Sequence, residues 1–136
     1  MKILLVILPP WLSPASSDFV IKITRCLNAG ATVLGVIDMS RIARTASNEG
    51  SSKEAAQENY VQEAYENLYS TEERFKKESV EVSIKIKEVT IPEELLTEIK
   101  RNNADIVCLA GSFDTLWLEI IRGSLTAPIL LVPQER

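Results

Sequence analysis

Residues Ile3 to Leu8 form an unbroken apolar run that Pro9-Pro10 stops. A run of that length is the pattern of a central strand buried on both faces of a parallel sheet. Ser16, Ser17 and Asp18 are candidate N-caps for a helix whose apolar stripe is Phe19, Val20, Ile23, Cys26 and Leu27. Asn28-Ala29-Gly30 closes that helix, with Gly30 suited to the left-handed position after its end. Ala31 to Ile37 reads as the second strand. Residues 41–52 turn small and polar (Thr45, Ser47, Asn48, Gly50, Ser52) and read as a mobile loop.

From Lys53 a long amphipathic helix is predicted, with Ala56, Tyr60, Ala64 and Leu68 spaced by four and Val61, Tyr65 and Phe75 widening the stripe. Glu54, Glu58, Glu63, Glu66, Glu72 and Glu73 fall mostly off it, as on a solvated face. Val80, Val82, Ile84 and Ile86 alternate with Glu81, Ser83, Lys85 and Lys87, the mark of a strand with one wet face at or near a sheet edge. Thr90 and Glu93 have capping-box spacing, with Pro92 in the first turn of a helix carrying Leu95, Leu96 and Ile99. Ala104 to Ala110 is a fourth strand. Asp114 can cap a short helix bearing Leu116, Trp117, Ile120 and Ile121, with Gly123 as its C-cap, and Ile129 to Val132 is the last strand. Strands alternating with helices predict a parallel sheet with helices on both faces. Ligands of such sheets sit beyond the carboxyl ends of the strands, here the loops Pro9 to Pro14 and Gly111 to Asp114.

The 136 residues fit one domain spanning 1–136, with 46% hydrophobic and 25% charged positions. Fifteen Lys and Arg against nineteen Asp and Glu give a net charge of −4, which argues against nucleic-acid or anionic-lipid partners. The chain has no histidine, so Ser-His-Asp and Cys-His triads, His-ligated zinc and a histidine proton shuttle are excluded. Its two cysteines, Cys26 and Cys108, lie far apart among apolar neighbours and read as buried, reduced thiols. The first residues lack the length and cleavage site of a signal peptide, and no apolar run reaches a membrane span. The cytoplasm is the expected location. Asp38, Glu88 and Asp114 fall at strand ends without the spacing of a metal motif, so no metal is expected.

Several doubly wound families fail at the strand-end loops. Pro9-Pro10 replaces the carboxylate cluster that a phosphate-accepting receiver domain needs. Trp11-Leu12-Ser13-Pro14 is too bulky for a flavodoxin phosphate loop, and neither G-x-G-x-x-G nor G-x-x-x-x-G-K-[ST] occurs. By contrast, the run Asn103 to Ser112, the preceding amphipathic strand with Pro92-Glu93-Glu94-Leu95-Leu96, the closing Ala127 to Pro133 and Ala29-Gly30-Ala31 resemble the universal stress protein family. The similarity covers nearly the whole chain. It implies a three-layer α/β/α sandwich on a Rossmann-like five-stranded parallel sheet of order 3-2-1-4-5, like the adenine nucleotide alpha hydrolases. It also implies homodimers paired through the last strand, here Ile129, Leu130, Leu131 and Val132.

Many members of that family bind ATP through a carboxylate after strand one and a G-x2-G-x9-G-[S/T] loop after strand four. On this chain the carboxylate position falls on Pro9, and Gly111 matches the first glycine, but the second falls on Asp114. Gly123-Ser124 cannot be the final pair, because only Leu125-Thr126-Ala127 follow before Pro128, with no room for the family's next helix. The resemblance therefore implies a vestigial nucleotide site at Pro9, Val36, Gly111, Ser112 and Asp114, with most of the phosphate loop deleted. Arg122, Arg41 and Arg44 are the only nearby cations in view, and Trp11 and Phe113 read as aromatic plugs at its mouth. Ser112 and Asp114 read as helix caps. The expectation is a regulatory stress-response protein, not an enzyme, that forms a homodimer, does not bind ATP, has no cofactor and is read by a protein partner. The alternative is a member that binds an adenine nucleotide through an altered phosphate site. ATP-pyrophosphatase or nucleotide-hydrolase chemistry would need a glycine-serine loop after strand one or histidine motifs, and the chain has neither.

Overall fold

The computed structural model describes residues 1–50 and 52–132. Ten elements follow one another: β1 (Lys2–Ile7), α1 (Pro14–Cys26), β2 (Gly30–Asp38), α2 (Met39–Glu49), α3 (Lys53–Lys77), β3 (Val82–Val89), α4 (Pro92–Asn102), β4 (Ile106–Ala110), α5 (Thr115–Ser124) and β5 (Ile129–Leu131). The strands form one parallel sheet of order β3-β2-β1-β4-β5, the order that the sequence resemblance implies. Ile3 pairs with Ala31 on one side and Ile106 on the other, which makes β1 the centre and leaves β3 and β5 as the edges.

Period two along the strands separates two cores. Ile3, Leu5 and Ile7 point to α1 and α3, where they meet Val20, Ile21, Leu68 and Phe75. Leu4, Val6 and Leu8 point the other way, to Leu95 and Ile99 of α4 and Ile121 of α5. Leu68 lies so near the sheet that a Cβ on Gly35 would stand 2.9 Å from its Cδ1. A side chain at that position would require the Leu68 side chain to shift.

Several local expectations are corrected. The segment 41–52 is not an extended loop: α2 runs to Glu49, and Gly50 ends it at φ 68°. Ile42 and Ala46 are buried at helical spacing, and Asp38 caps the start, so tertiary burial and a cap override the turn-like composition. Helix α1 begins earlier than Ser16, because Pro14 suits its first turn and Ser13 Oγ accepts from Ser16 N at 3.1 Å. Its buried face is Ser16, Ser17, Val20, Ile21 and Thr24, which turns Phe19, Cys26 and Leu27 out to solvent. Cys26 is therefore exposed, and only Cys108 is a buried thiol. Asn28, at φ 50°, takes the left-handed position after α1, and Gly30 starts β2 instead.

Helix α4 is capped differently from a Thr90–Glu93 box. Ile91 is the N-cap without a side-chain bond, and Glu94 Oε1 accepts from Thr90 N at 3.3 Å. Gly123 lies inside α5, whose C-cap is Leu125. The last strand ends one residue early at Leu131, although Val132 N still donates to Leu109 O at 2.9 Å. Among the described residues no helix is long and apolar enough to cross a membrane.

Candidate functional site

The carboxyl ends of β1, β2 and β4 bring three loops together, and backbone hydrogen bonds tie them. Leu8 N donates to Ala110 O at 2.9 Å, and Ser112 N donates to Pro9 O at 2.8 Å. Gly111 lies between these bonds at φ 107°, where a Cβ would stand 2.0 Å from Leu8 O. Only glycine lets the two loops approach this closely. The Ser112 carbonyl in turn accepts from Arg41 Nη2 at 2.5 Å, across 71 positions of sequence. The Ser112 peptide is thus bonded on both sides, to the loop after β1 and to α2.

Arg41 stands where it does because of Asp38. That carboxylate is only 5% exposed, and its Oδ1 accepts from Ser40 N (3.0 Å), Ser40 Oγ (2.6 Å) and Arg41 N (3.2 Å). One side chain caps α2, compensates its own buried charge and roots Arg41 beside the cleft. Tyr60 of α3 sits next to this pair. Its hydroxyl is buried without a hydrogen bond of ordinary geometry. Burial pushes the Tyr60 phenol above its usual range near 10, the Arg41 guanidinium pulls it down, and Asp38 and Glu63 push it up again.

The loop after β1 is docked on α3 by three side chains. Trp11, at φ 70°, packs edge-on to Tyr60 with ring centroids 5.5 Å apart, and its Nε1 donates to Glu63 Oε2 at 3.3 Å. Asn67 mimics a strand partner: its Oδ1 accepts from Leu12 N at 3.1 Å and its Nδ2 donates to Leu12 O at 2.9 Å. Trp11 fills space against Ile37, Ile42 and Ala64, while Phe113 packs into the opposite core with Val107 and Ile121.

Of the residues the sequence points to, Pro9, Gly111 and Ser112 do meet, through backbone atoms. Val36 is fully buried among Leu34, Leu95 and Ile99 and presents no surface to a ligand. Asp114 caps α5 through a 2.9 Å bond from Leu116 N, as expected of it, at φ −61°. Ser112 is not a cap; its backbone, not its hydroxyl, makes the contacts described. Asp38, at the end of β2, is buried as a helix cap. Sequence reasoning passed over Asp38, Tyr60, Glu63 and Asn67 as parts of this site. Asp38 two residues before Ser40 was a readable capping signal; the link between Arg41 and Ser112 had none. Five cavities of roughly 290 to 630 Å³ lie among the described residues, and none of these five is lined by Pro9, Val36, Gly111, Ser112 or Asp114.

No protein-family model and no curated protein sequence matches the chain. Solved structures do. A universal stress protein family member from Burkholderia pseudomallei superposes with a TM-score of 0.73 at 17% identity, covering 98% of this chain and 96% of its own. The fold is that of the universal stress proteins. UspA from Lactobacillus plantarum, itself a universal stress protein, matches at TM-score 0.70 and 11% identity over 98% of this chain and 97% of its own. The universal stress protein from Archaeoglobus fulgidus, solved in complex with dAMP, matches at TM-score 0.66 and 14% identity over 98% of each chain. In this chain the loop after β4 is the stretch from Gly111 to Asp114, and its Ser112 carbonyl accepts from Arg41.

Proposed function

We propose that this chain is a universal-stress-protein-like regulatory protein that acts as a cytoplasmic homodimer, carries out no catalysis and does not bind ATP. The Ser112 peptide carries this reading. A phosphate loop works by turning free backbone N–H groups toward an anion. Here the Ser112 N–H is already given to Pro9 and its carbonyl to Arg41. Asp114 adds negative charge where a polyphosphate would come, and its own side chain is engaged at the start of α5.

The edge strand β5 supports the homodimer. Its backbone is open on one side, and Leu131 is 57% exposed, whereas Ile129 and Leu130 are partly buried and Val132 turns into the chain's own core. An uncovered apolar edge invites pairing with a second copy. Light scattering should return twice the 15.2 kDa of one chain at micromolar concentration, and Leu131→Lys should return one. A monomeric wild type would remove the dimer from the proposal.

The nucleotide half is tested by thermal shift with ATP, ADP, AMP and adenosine, with and without magnesium. A ligand at 100 times its Kd adds about 2.7 kcal/mol, several degrees for a domain of this size. No shift at millimolar ligand is expected. A shift would favour the second reading, an adenine-nucleotide binder with an altered phosphate site. That reading is supported by the dAMP complex of the Archaeoglobus structure and by Gly111-Ser112 standing at the end of β4.

A further inference from the structure

We propose that α5 is a self-docking surface: Leu116, Ile120 and Gly123 form an outward seam on which the same seam of a second copy lies antiparallel. The seam is on the helix layer, not on the sheet edge at β5, so it holds or fails apart from the homodimer reading above.

Helix α5 carries Leu116, Trp117, Leu118, Ile120 and Ile121 within ten residues, yet only Ile121 is buried in its own chain. Trp117 and Leu118 lean on the core that Ile121 enters. Leu116 stays 59% exposed and Ile120 half-buried, an apolar surface wider than the chain itself covers. Gly123 shares their face, because the three stand four and then three residues apart. It lies inside the helix, where glycine is a poor choice, and nothing described stands within 4 Å of the place its Cβ would take. Its φ is not positive either, so the chain's own fold does not call for glycine there. The missing side chain leaves a notch beside the two apolar ones.

Antiparallel pairing fits these parts together. A two-fold axis midway between Leu116 and Gly123 sets Leu116 of each copy against the notch of the other and brings the two Ile120 side chains together. The same axis sets Glu119 of each copy beside Arg122 of the other. Both residues are exposed, and among the described residues neither has an ion-pair partner. Parallel pairing would set Leu116 level with Leu116 and leave both notches empty. Ten residues span about 15 Å, too short to fill the roughly 800 Å² per partner of a standard interface. The contact is therefore weak and forms at high chain concentration.

The test is sedimentation equilibrium from micromolar to millimolar concentration, on Leu131→Lys so that pairing through β5 is removed. That chain should be monomeric at micromolar concentration and approach twice 15.2 kDa at millimolar. Adding Gly123→Ala should weaken association roughly tenfold by filling the notch, although alanine favours the helix. Glu119→Arg or Arg122→Glu should each weaken it by a similar factor, and the two together should restore it. A chain still monomeric at millimolar concentration would overturn the α5 contact. Association unchanged by Gly123→Ala, or by either single charge reversal, would place the contact elsewhere and overturn it too. Failure of the paired reversal to restore association would overturn the antiparallel register, and the seam with it. The β5 homodimer fails separately, if wild type at micromolar concentration weighs no more than Leu131→Lys.

Discussion

Replacing Gly111 by alanine should be one of the most damaging single-methyl changes in this protein. The new Cβ would lie 2.0 Å from Leu8 O, 2.6 Å from Leu8 C and 3.0 Å from Leu8 Cα, all backbone atoms at the end of the central strand. Ordinary contact lies near 3.5 Å, so the two loops must part by roughly 1 Å or more. That movement strains the bonds Leu8 N to Ala110 O, Trp11 N to Leu8 O and Ser112 N to Pro9 O. Losing two of them costs about 1 kcal/mol each. The φ of 107° adds about 1 to 2 kcal/mol for any residue with a Cβ. The sum is about 3 to 4 kcal/mol, a large share of the roughly 5 to 15 kcal/mol typical of a domain. Urea unfolding followed by circular dichroism measures it, with an unchanged m-value marking a true stability loss. Gly123→Ala is the control, since nothing lies within 4 Å of its Cβ position and it sits inside α5. That change should stabilise by up to about 1 kcal/mol. Gly111→Ala within about 1 kcal/mol of wild type, a fraction of the sum above, or the two substitutions behaving alike, would refute the reasoning.

Asp38→Ala should cost about 1 to 2 kcal/mol in urea unfolding, because three hydrogen bonds at the start of α2 converge on one carboxylate oxygen. A neutral outcome would mean that α2 is held by Ile42 and Ala46 alone. Tyr60→Phe should leave stability unchanged or raise it by up to about 1 kcal/mol, since the hydroxyl it removes is buried without a hydrogen bond of ordinary geometry; a clear loss would show that the neighbouring Arg41 guanidinium satisfies it. An aromatic disulfide reagent should titrate one thiol in the folded chain, the exposed Cys26, and Cys108 only after denaturation. Burial pushes the Cys108 thiol up from 9.0 to about 11, so the folded chain keeps a proton that the unfolded chain releases. Its contribution to stability is therefore complete below about pH 9 and should fall as pH rises toward 11, as unfolding at stepped pH would show.

What the sequence disclosed follows from which contacts are local. Apolar runs marked β1, β2, β4 and β5, period-two alternation marked β3, and period-four spacing marked the long helix, because each pattern follows from the element's own geometry and burial. Strand order came only through the family resemblance, since pairing Ile3 with Ile106 leaves no local trace. Helix α1 was placed with the wrong face because Phe19, Cys26 and Leu27 are apolar yet exposed, while Ser16, Ser17 and Thr24 are small enough to be buried. The Thr24 hydroxyl satisfies itself on Val20 O at 2.7 Å, so a polar side chain there costs little. Helix α2 was missed for the opposite reason: its composition is that of a turn, and its stability comes from a cap and two buried side chains.

The site divides along the same line. Gly111 was singled out through the family's loop pattern, and Asp114 because a cap precedes its helix by a fixed interval. The bond from Arg41 to Ser112 was not, because it joins an arginine and a carbonyl 71 positions apart that meet only when β2 and β4 flank β1. Backbone groups at the strand ends must face water, an anion or a partner within the chain. In this chain the Ser112 N–H is taken up by Pro9 and its carbonyl by Arg41. Both partners come from elsewhere in the chain, which meets the general requirement that polar backbone at strand ends be satisfied by something. For the Ser112 carbonyl, that something is a side chain from the neighbouring helix α2.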